Sequence, residues 1–194
     1  MTLNDILNDT PKEDDVELCA LFKDWEARGL IGCSNMEYHV LLTLASIPNV
    51  VNILELGPGK GASTEVMLMA LRRKNNGHLT TVDVLPESEL VLLTDRSRFT
   101  RFGMNTNTFF TQNMQKYDLI FIDADHTDAQ SWKDIDNALK VLNPGGFVAA
   151  HDLWFNGHKD RTDISRHVAS LSAAYGKKYK FVDKWGYGLG VIYE

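Results

Sequence analysis

The sequence predicts an α/β fold: a doubly wound, mostly parallel sheet of seven strands. Three observations carry this. Seven short strand-like apolar runs occur, helical patterns alternate with them from residue 50 onward, and no internal repeat, low-complexity tract or Pro/Ser-rich linker interrupts the pattern. Strands that alternate with helices need right-handed crossovers, and these cover both faces of a parallel sheet. At 194 residues the chain is long enough for one domain with a full core and short for two. We therefore expect a single domain over 1–194, with 1–48 a helical cap and 49–194 the sheet core.

In the cap, DDVELCALFKDWEARG and NMEYHVLLTLAS read as two helices, the second capped by Ser34 or Asn35. This cap could serve as a homodimer face or as a lid. VNILELG is the first buried strand. ASTEVMLMALRRK follows as a helix with basic residues in its last turn and Gly77 placed to stop it. LTTVDV is the second strand, PESELVLLTDR a helix opened by Pro86, RFTRF a weaker third strand and YDLIFID the fourth. In DAQSWKDIDNALKVL, residues Trp132, Ile135, Ala138, Leu139 and Leu142 form one buried helical stripe that ends at the breaker NPGG. FVAAH is the fifth strand. After the loop DLWFNGHKDRTD and the helix ISRHVASLSAAY, the runs KYKFVD and LGVIYE can pair as a hairpin around KWGYG, which puts an antiparallel strand at the C-terminal edge.

Composition excludes several classes. Hydrophobic residues at 44% and charged residues at 24% are ordinary for a globular chain. No apolar run approaches the roughly 20 residues that span a bilayer, and the acidic start MTLNDILNDTPKEDD is unlike a basic secretory signal, so no membrane role and a cytoplasmic location are expected. The net charge of -6 disfavours a nucleic-acid partner, and the basic clusters RSRFTR and KKYK read as solvated faces. Cys19 and Cys33 lack CxxC spacing and are read as reduced thiols without a role.

ELGPGKGAS lies between a strand and a helix, where the ends of parallel strands leave a crevice for ligands. Gly57, Gly59 and Gly61 permit dihedrals closed to other residues and let a ligand approach the backbone. Asp83 ends the second strand 22 residues beyond Gly61, where a carboxylate can accept hydrogen bonds from ribose hydroxyls; a plain helix N-cap is its alternative. Lys60 sits inside the glycines rather than before Ser or Thr, so a P-loop fits poorly. Ala62 is compatible with an NAD fingerprint, but Glu55 just before the loop suits a cationic ligand better than a pyrophosphate.

Taken in order, ILELGPGKGAST, TVDV, YDLIFIDADH and LNPGGFVAAHDLW resemble the successive motifs of class I S-adenosylmethionine-dependent methyltransferases. The likeness covers roughly residues 35 to 193. It is nearest to the branch of caffeoyl-CoA and catechol O-methyltransferases and of macrocin and mycinamicin sugar O-methyltransferases. The resemblance implies a Rossmann-like methyltransferase fold in which Glu55 and the loop residues Gly57, Pro58, Gly59 and Gly61 hold the methionine part of S-adenosylmethionine. It further implies Asp83 on the ribose, Met104 or Asn105 by the adenine, and Asp123 at the cofactor. Ser63 could cap the helix or bond the cofactor carboxylate.

Methyl transfer from a sulfonium needs an oxygen nucleophile that is deprotonated and held in line. Asp123 and Asp152 follow the fourth and fifth strands and could hold Mg²⁺ or Mn²⁺ with positions left for substrate hydroxyls. His126 could take the proton, and the sugar O-methyltransferases carry histidine at the matching position. His151 departs from the acidic residue or Asp-Asn pair usual in that branch. As a third metal ligand its imidazole would make the site weaker for Mg²⁺ or better suited to a softer ion. Asp125, Thr127 and Asp128 read as helix-start residues, and Trp154, Phe155, His158 and Arg161 as a loop over the substrate. The leading expectation is an S-adenosylmethionine-dependent O-methyltransferase acting on a small hydroxylated molecule with divalent-metal assistance. Its alternatives are an iron-dependent hydroxylase of the same fold, drawing on His126, His151, Asp123 and Asp152, and a non-catalytic cofactor-binding protein.

Overall fold

A computed structural model describes residues 15–153, 164–182 and 187–194. The acidic start, the loop residues Trp154, Phe155, His158 and Arg161, and most of the KWGYG turn lie outside the described residues.

Helix α1 (Val16–Ala27) begins at Asp15, whose carboxylate accepts from the Leu18 amide at 3.0 Å. Helix α2 (Asn35–Ser46) begins with a full capping box: the Ser34 hydroxyl accepts from the Glu37 amide and the Glu37 carboxylate accepts from the Ser34 amide. The sheet and its helices then follow as β1 (Asn52–Leu56), α3 (Ala62–Arg73), β2 (His78–Asp83), β3 (Phe99–Gly103), α4 (Thr106–Gln112), β4 (Tyr117–Ile122), α5 (Asp128–Val141), β5 (Leu142–Ala150), α6 (Ile164–Ala174), β6 (Lys178–Phe181) and β7 (Gly190–Tyr193).

The seven strands run in the order β3-β2-β1-β4-β5-β7-β6. β1 to β5 pair in parallel, whereas β7 is antiparallel to both β5 and β6. The expected hairpin of the last two runs is present, but its antiparallel member is one strand in from the edge. Burial explains the order. Val191 and Ile192 are fully buried and need neighbours on both sides, while Tyr179 on β6 is 42% exposed and tolerates an edge.

Alternation along the strands sorts side chains onto two faces. Ile53, Leu119, Phe121 and Ala149 pack against α2 and α3 through Leu41, Leu44, Met67 and Leu71. Leu54, Leu56, Ile120, Val148 and Ala150 pack against α5 and α6 through Ile135, Leu139, Val168 and Leu171. At the opposite end from the glycine loop, one Asp118 carboxylate ties three strands: Oδ2 accepts from the Val51 and Asn52 amides at 2.9 and 2.8 Å, and Oδ1 from Asn143 Nδ2 at 2.7 Å.

Three local expectations are corrected. Trp132 of the expected buried stripe is 40% exposed, and Leu142 with NPGG belongs to β5. PESELVLLTDR is not a helix; it holds one 3₁₀ turn, Glu87–Glu89, and continues as irregular chain. Leu90 and Leu92 are buried while Val91 is 52% exposed, a period of two that a helix cannot provide. The Leu92 amide donates to the Lys60 carbonyl, and the Thr94 amide and hydroxyl donate to Glu65, so these groups are spent on α3 and its loop. Conversely, α4 was not expected from TNTFFTQ; Asn105 starts it by accepting from the Thr108 amide at 2.8 Å.

Candidate active site

The glycine loop begins where β1 meets the end of β4. Gly57 has φ +83°, and a Cβ there would lie 2.1 Å from the Asp123 carbonyl oxygen and 2.7 Å from the Ala124 Cα. Only glycine lets these two backbones touch. Gly61 opens α3 at φ +94°, and a Cβ there would meet Leu93 Cδ1 at 2.5 Å.

A cavity of about 580 Å³ lies over this loop. Gly57, Pro58, Gly59 and Ser63 form its floor; Asp83, Met104, Asn105 and Asp123 line it from the ends of β2, β3 and β4. Eight of the ten residues expected at the cofactor are thereby brought together. The other two, Glu55 and Gly61, are not in the lining. Glu55 is fully buried on the α3 side of β1, where its carboxylate accepts from Ser63 Oγ at 2.5 Å and Thr64 Oγ1 at 2.7 Å. Burial pushes the Glu55 carboxyl up to about 7, with those hydroxyls pulling against it. The Ser63 hydroxyl is thus committed to Glu55, a use different from either one expected of it. Asp83 is no helix cap; its Oδ1 accepts from the Leu85 amide at 2.9 Å in a tight turn.

Sequence reading missed the far wall. The α1–α2 connection, Gly29 to Cys33, and Tyr38 of α2 also line the cavity. The available signal was the pair of glycines in RGLIGCS, which permits backbone to approach a ligand. Cys33, given no role from sequence, is among these residues.

Beside the cavity, Asp123, His126 and Asp152 each place a ligand atom within 4.8 Å of the others. His126 Nε2 lies 2.7 Å from Asp152 Oδ2 and 3.2 Å from Asp123 Oδ1. Burial opposes charge on His126, but the two carboxylates outweigh it and raise its pKa to about 9. Asp123 is also penalised by burial, yet His151 and His126 hold it well below the usual carboxylate range. Asp152 takes a left-handed conformation, φ +58°, that turns its carboxylate back to His126 directly after β5.

His151 stands between the expected group and a second one. Its Nδ1 does face Asp123 Oδ1 at 3.3 Å and Asp152 Oδ1 at 3.4 Å, but its Nε2 lies 3.2 Å from Glu37 Oε2 of α2. With Glu37 and Cys33 it forms a second, wholly buried cluster of possible ligands. Burial works against a charged His151, but neighbouring Cys33 and Asp123 raise it well above the ordinary imidazole range. At the start of α5, Asp125 Oδ1 accepts from the Thr127 amide at 2.8 Å, Thr127 stands at the N-cap but makes no side-chain capping bond, and Asp128 in the first turn pairs with His167 at 2.7 Å.

A sheet of this order, with an antiparallel seventh strand lodged between the fifth and sixth and a glycine loop after the first, defines a Rossmann-like methyltransferase fold. A family model described as a methyltransferase domain matches residues 54–153, and the chain belongs to that family. Among solved structures, a Staphylococcus aureus protein described as "a putative caffeoyl-CoA O-methyltransferase" superposes with TM-score 0.74 at 20% identity over 100% of both chains. A Bacillus cereus O-methyltransferase in complex with SAH gives 0.70 at 20% identity, over 99% of this chain and 97% of that one. A Mycolicibacterium vanbaalenii protein named "Putative O-methyltransferase" is 29% identical over 145 residues, 70% of this chain. The chain covers 62% of that relative's own length. No helix among the described residues is long and apolar enough to cross a membrane.

Proposed function

We propose that this chain is an S-adenosylmethionine-dependent O-methyltransferase acting on a small hydroxylated molecule with the help of a divalent cation. The observation that carries the reading is the shared wall: Asp123 lines the glycine-loop cavity and also hydrogen-bonds His126. A methyl donor in the cavity and a proton acceptor beside it would meet at that residue.

The residues present suit the cofactor. About 580 Å³ is within the usual range for a small-ligand pocket, Gly59 in the loop has open space where a Cβ would stand, and Asp83 lines the cavity with a carboxylate that can accept from ribose hydroxyls. Bound there, the cofactor supplies an electrophilic sulfonium methyl group. Glu55 under the loop supplies negative charge for the ammonium of its methionine part once ionised.

A hard cation is also accommodated by the donor set. Asp123 and Asp152 offer carboxylate oxygens, with His126 as an imidazole neighbour, a combination suited to Mg²⁺ or Mn²⁺. Such an ion lowers the pKa of hydroxyls bound to it. In the arrangement seen here His126 bridges both carboxylates and holds its proton at neutral pH. Neutralising those carboxylates would remove the charge that raises its pKa, so that His126 would release this proton to solvent and Nε2 would be free to accept one from a hydroxyl. His151 Nδ1 holds the two carboxylates from behind.

Calorimetry with S-adenosylhomocysteine, followed by methyl-transfer assays on catechols and hydroxylated sugars with added Mg²⁺ or Mn²⁺, tests the reading. His126→Ala is expected to lower kcat about 10²–10⁴-fold with cofactor affinity retained. An absence of cofactor binding at millimolar ligand would sink the proposal. Oxygen uptake that needs Fe²⁺ but no S-adenosylmethionine would replace it with the hydroxylase reading.

A further inference from the structure

We propose that Cys33, Glu37 and His151 form a second cation site, suited to a borderline ion such as Zn²⁺ and separate from the Asp123–Asp152 carboxylate pair. Each offers a ligand atom within 4.8 Å of the others, and their exposures are 4%, 0% and 2%. A tetrahedral zinc ion with bonds of about 2.0–2.3 Å sets its ligands roughly 3–4 Å apart. The 3.2 Å between His151 Nε2 and Glu37 Oε2 falls in that range.

Glu37 supplies the independent sign of a ligand. Its Oε2 is engaged by the Ser34 amide at 2.6 Å, but Oε1 is buried and has no hydrogen-bond partner among the described residues. Leaving a carboxylate oxygen in that state is costly, and buried charges are ordinarily paired or bound to a metal. The other two members of the cluster are a thiol and an imidazole. One sulfur, one nitrogen and one oxygen donor make a set for a borderline ion, unlike the oxygen-rich pair next to it.

Placement gives the site a role. Cys33 lines the cofactor cavity, so a fourth coordination position would face that side, as three-ligand zinc sites commonly arrange. His151 joins the two clusters through its two ring nitrogens. An ion on the Nε2 side would fix the Nδ1 proton toward Asp123 and Asp152, the outer-shell orientation that tunes carboxylate ligands. It would also clamp α2 to the end of β5. On binding, the Cys33 thiol releases its proton to solvent and the sulfur coordinates as thiolate.

The test is cobalt substitution in the metal-stripped, tag-free chain. Co²⁺ should produce a near-ultraviolet thiolate charge-transfer band that Zn²⁺ abolishes by displacement. The band should survive in Cys19→Ser and in Asp152→Asn and vanish in Cys33→Ser. Glu37→Gln, which keeps a capping-box residue, should keep the fold while weakening Co²⁺ binding at least about tenfold. No band in the wild type, a band that persists in Cys33→Ser, or loss of the band in Asp152→Asn each overturns the proposal. If circular dichroism shows Cys33→Ser unfolded, Glu37→Gln decides: unchanged Co²⁺ affinity refutes the site.

Discussion

Burial pushes the Glu55 carboxyl up to about 7, above its ordinary value of 4.5, even though Ser63 and Thr64 both donate to it. The folded state therefore holds a proton that the unfolded chain has released. That contribution to stability is complete below about 4.5 and is lost as pH rises through about 7. Cofactor-free protein should accordingly lose stability between those values, and Glu55→Gln should flatten the profile in urea titrations. On the proposed reading, ligand binding should have the opposite trend, because an ammonium group near Glu55 would favour the ionised carboxylate. Between pH 6 and 7.5 the affinity for S-adenosylhomocysteine should rise roughly five- to tenfold, whereas methylthioadenosine, which lacks the amino acid part, should show no such rise. Equal pH dependence for the two ligands would remove Glu55 from the methionine end. At this scale the placement of Gly57, Asp83 and Asp123 was legible because it is local, a turn or a strand end. Glu37 and Cys33 were not, because their partner His151 is more than a hundred positions away in sequence.

Elements were legible where a periodic apolar pattern coincided with a cap. Ser34 and Glu37 mark the start of α2, and the stripe through Ile135, Ala138 and Leu139 marks α5. PESELVLLTDR misled because three leucines in four residues fit a short helix as well as an extended segment tucked under a loop; contacts to Lys60 and Glu65 decided for the latter. The position of β7 is a second case. Its apolar residues announce a strand but not which neighbour it takes. The sheet order predicts unequal sensitivities along the hairpin. Ile192→Ala, in the fully buried inner strand, should cost about 2–5 kcal/mol in denaturant titrations, whereas Tyr179→Ala on the exposed edge strand should cost under about 1 kcal/mol. Equal losses would mean that the strand order is wrong.

For the whole molecule, the cavity draws its walls from the α1–α2 connection, the glycine loop and the ends of β2, β3 and β4, so cofactor binding should be felt globally. S-adenosylhomocysteine at a hundredfold excess over Kd should stabilise the chain by about 2.7 kcal/mol. In a chain of this size that corresponds to a rise in Tm of about 5–10 °C. Asp83→Asn should diminish the rise at fixed ligand, and a chain whose Tm ignores the ligand would contradict the cavity's assignment.

By itself the sequence determined the succession of the strands along the chain, the glycine turn and the acids at the strand ends, since each depends on residues within one turn or one strand of each other. Strand alternation even decided which face two residues at the strand ends would share: Asp123 and His151 continue the parity of Phe121 and Ala149 toward α2 and α3. What stands on that face was decided only by tertiary structure. Packing of α2 against the sheet sets Glu37 beside His151, and the left-handed turn at Asp152 sends its carboxylate to His126 instead. Such pairings depend on distances across the sheet, and no local pattern encodes them.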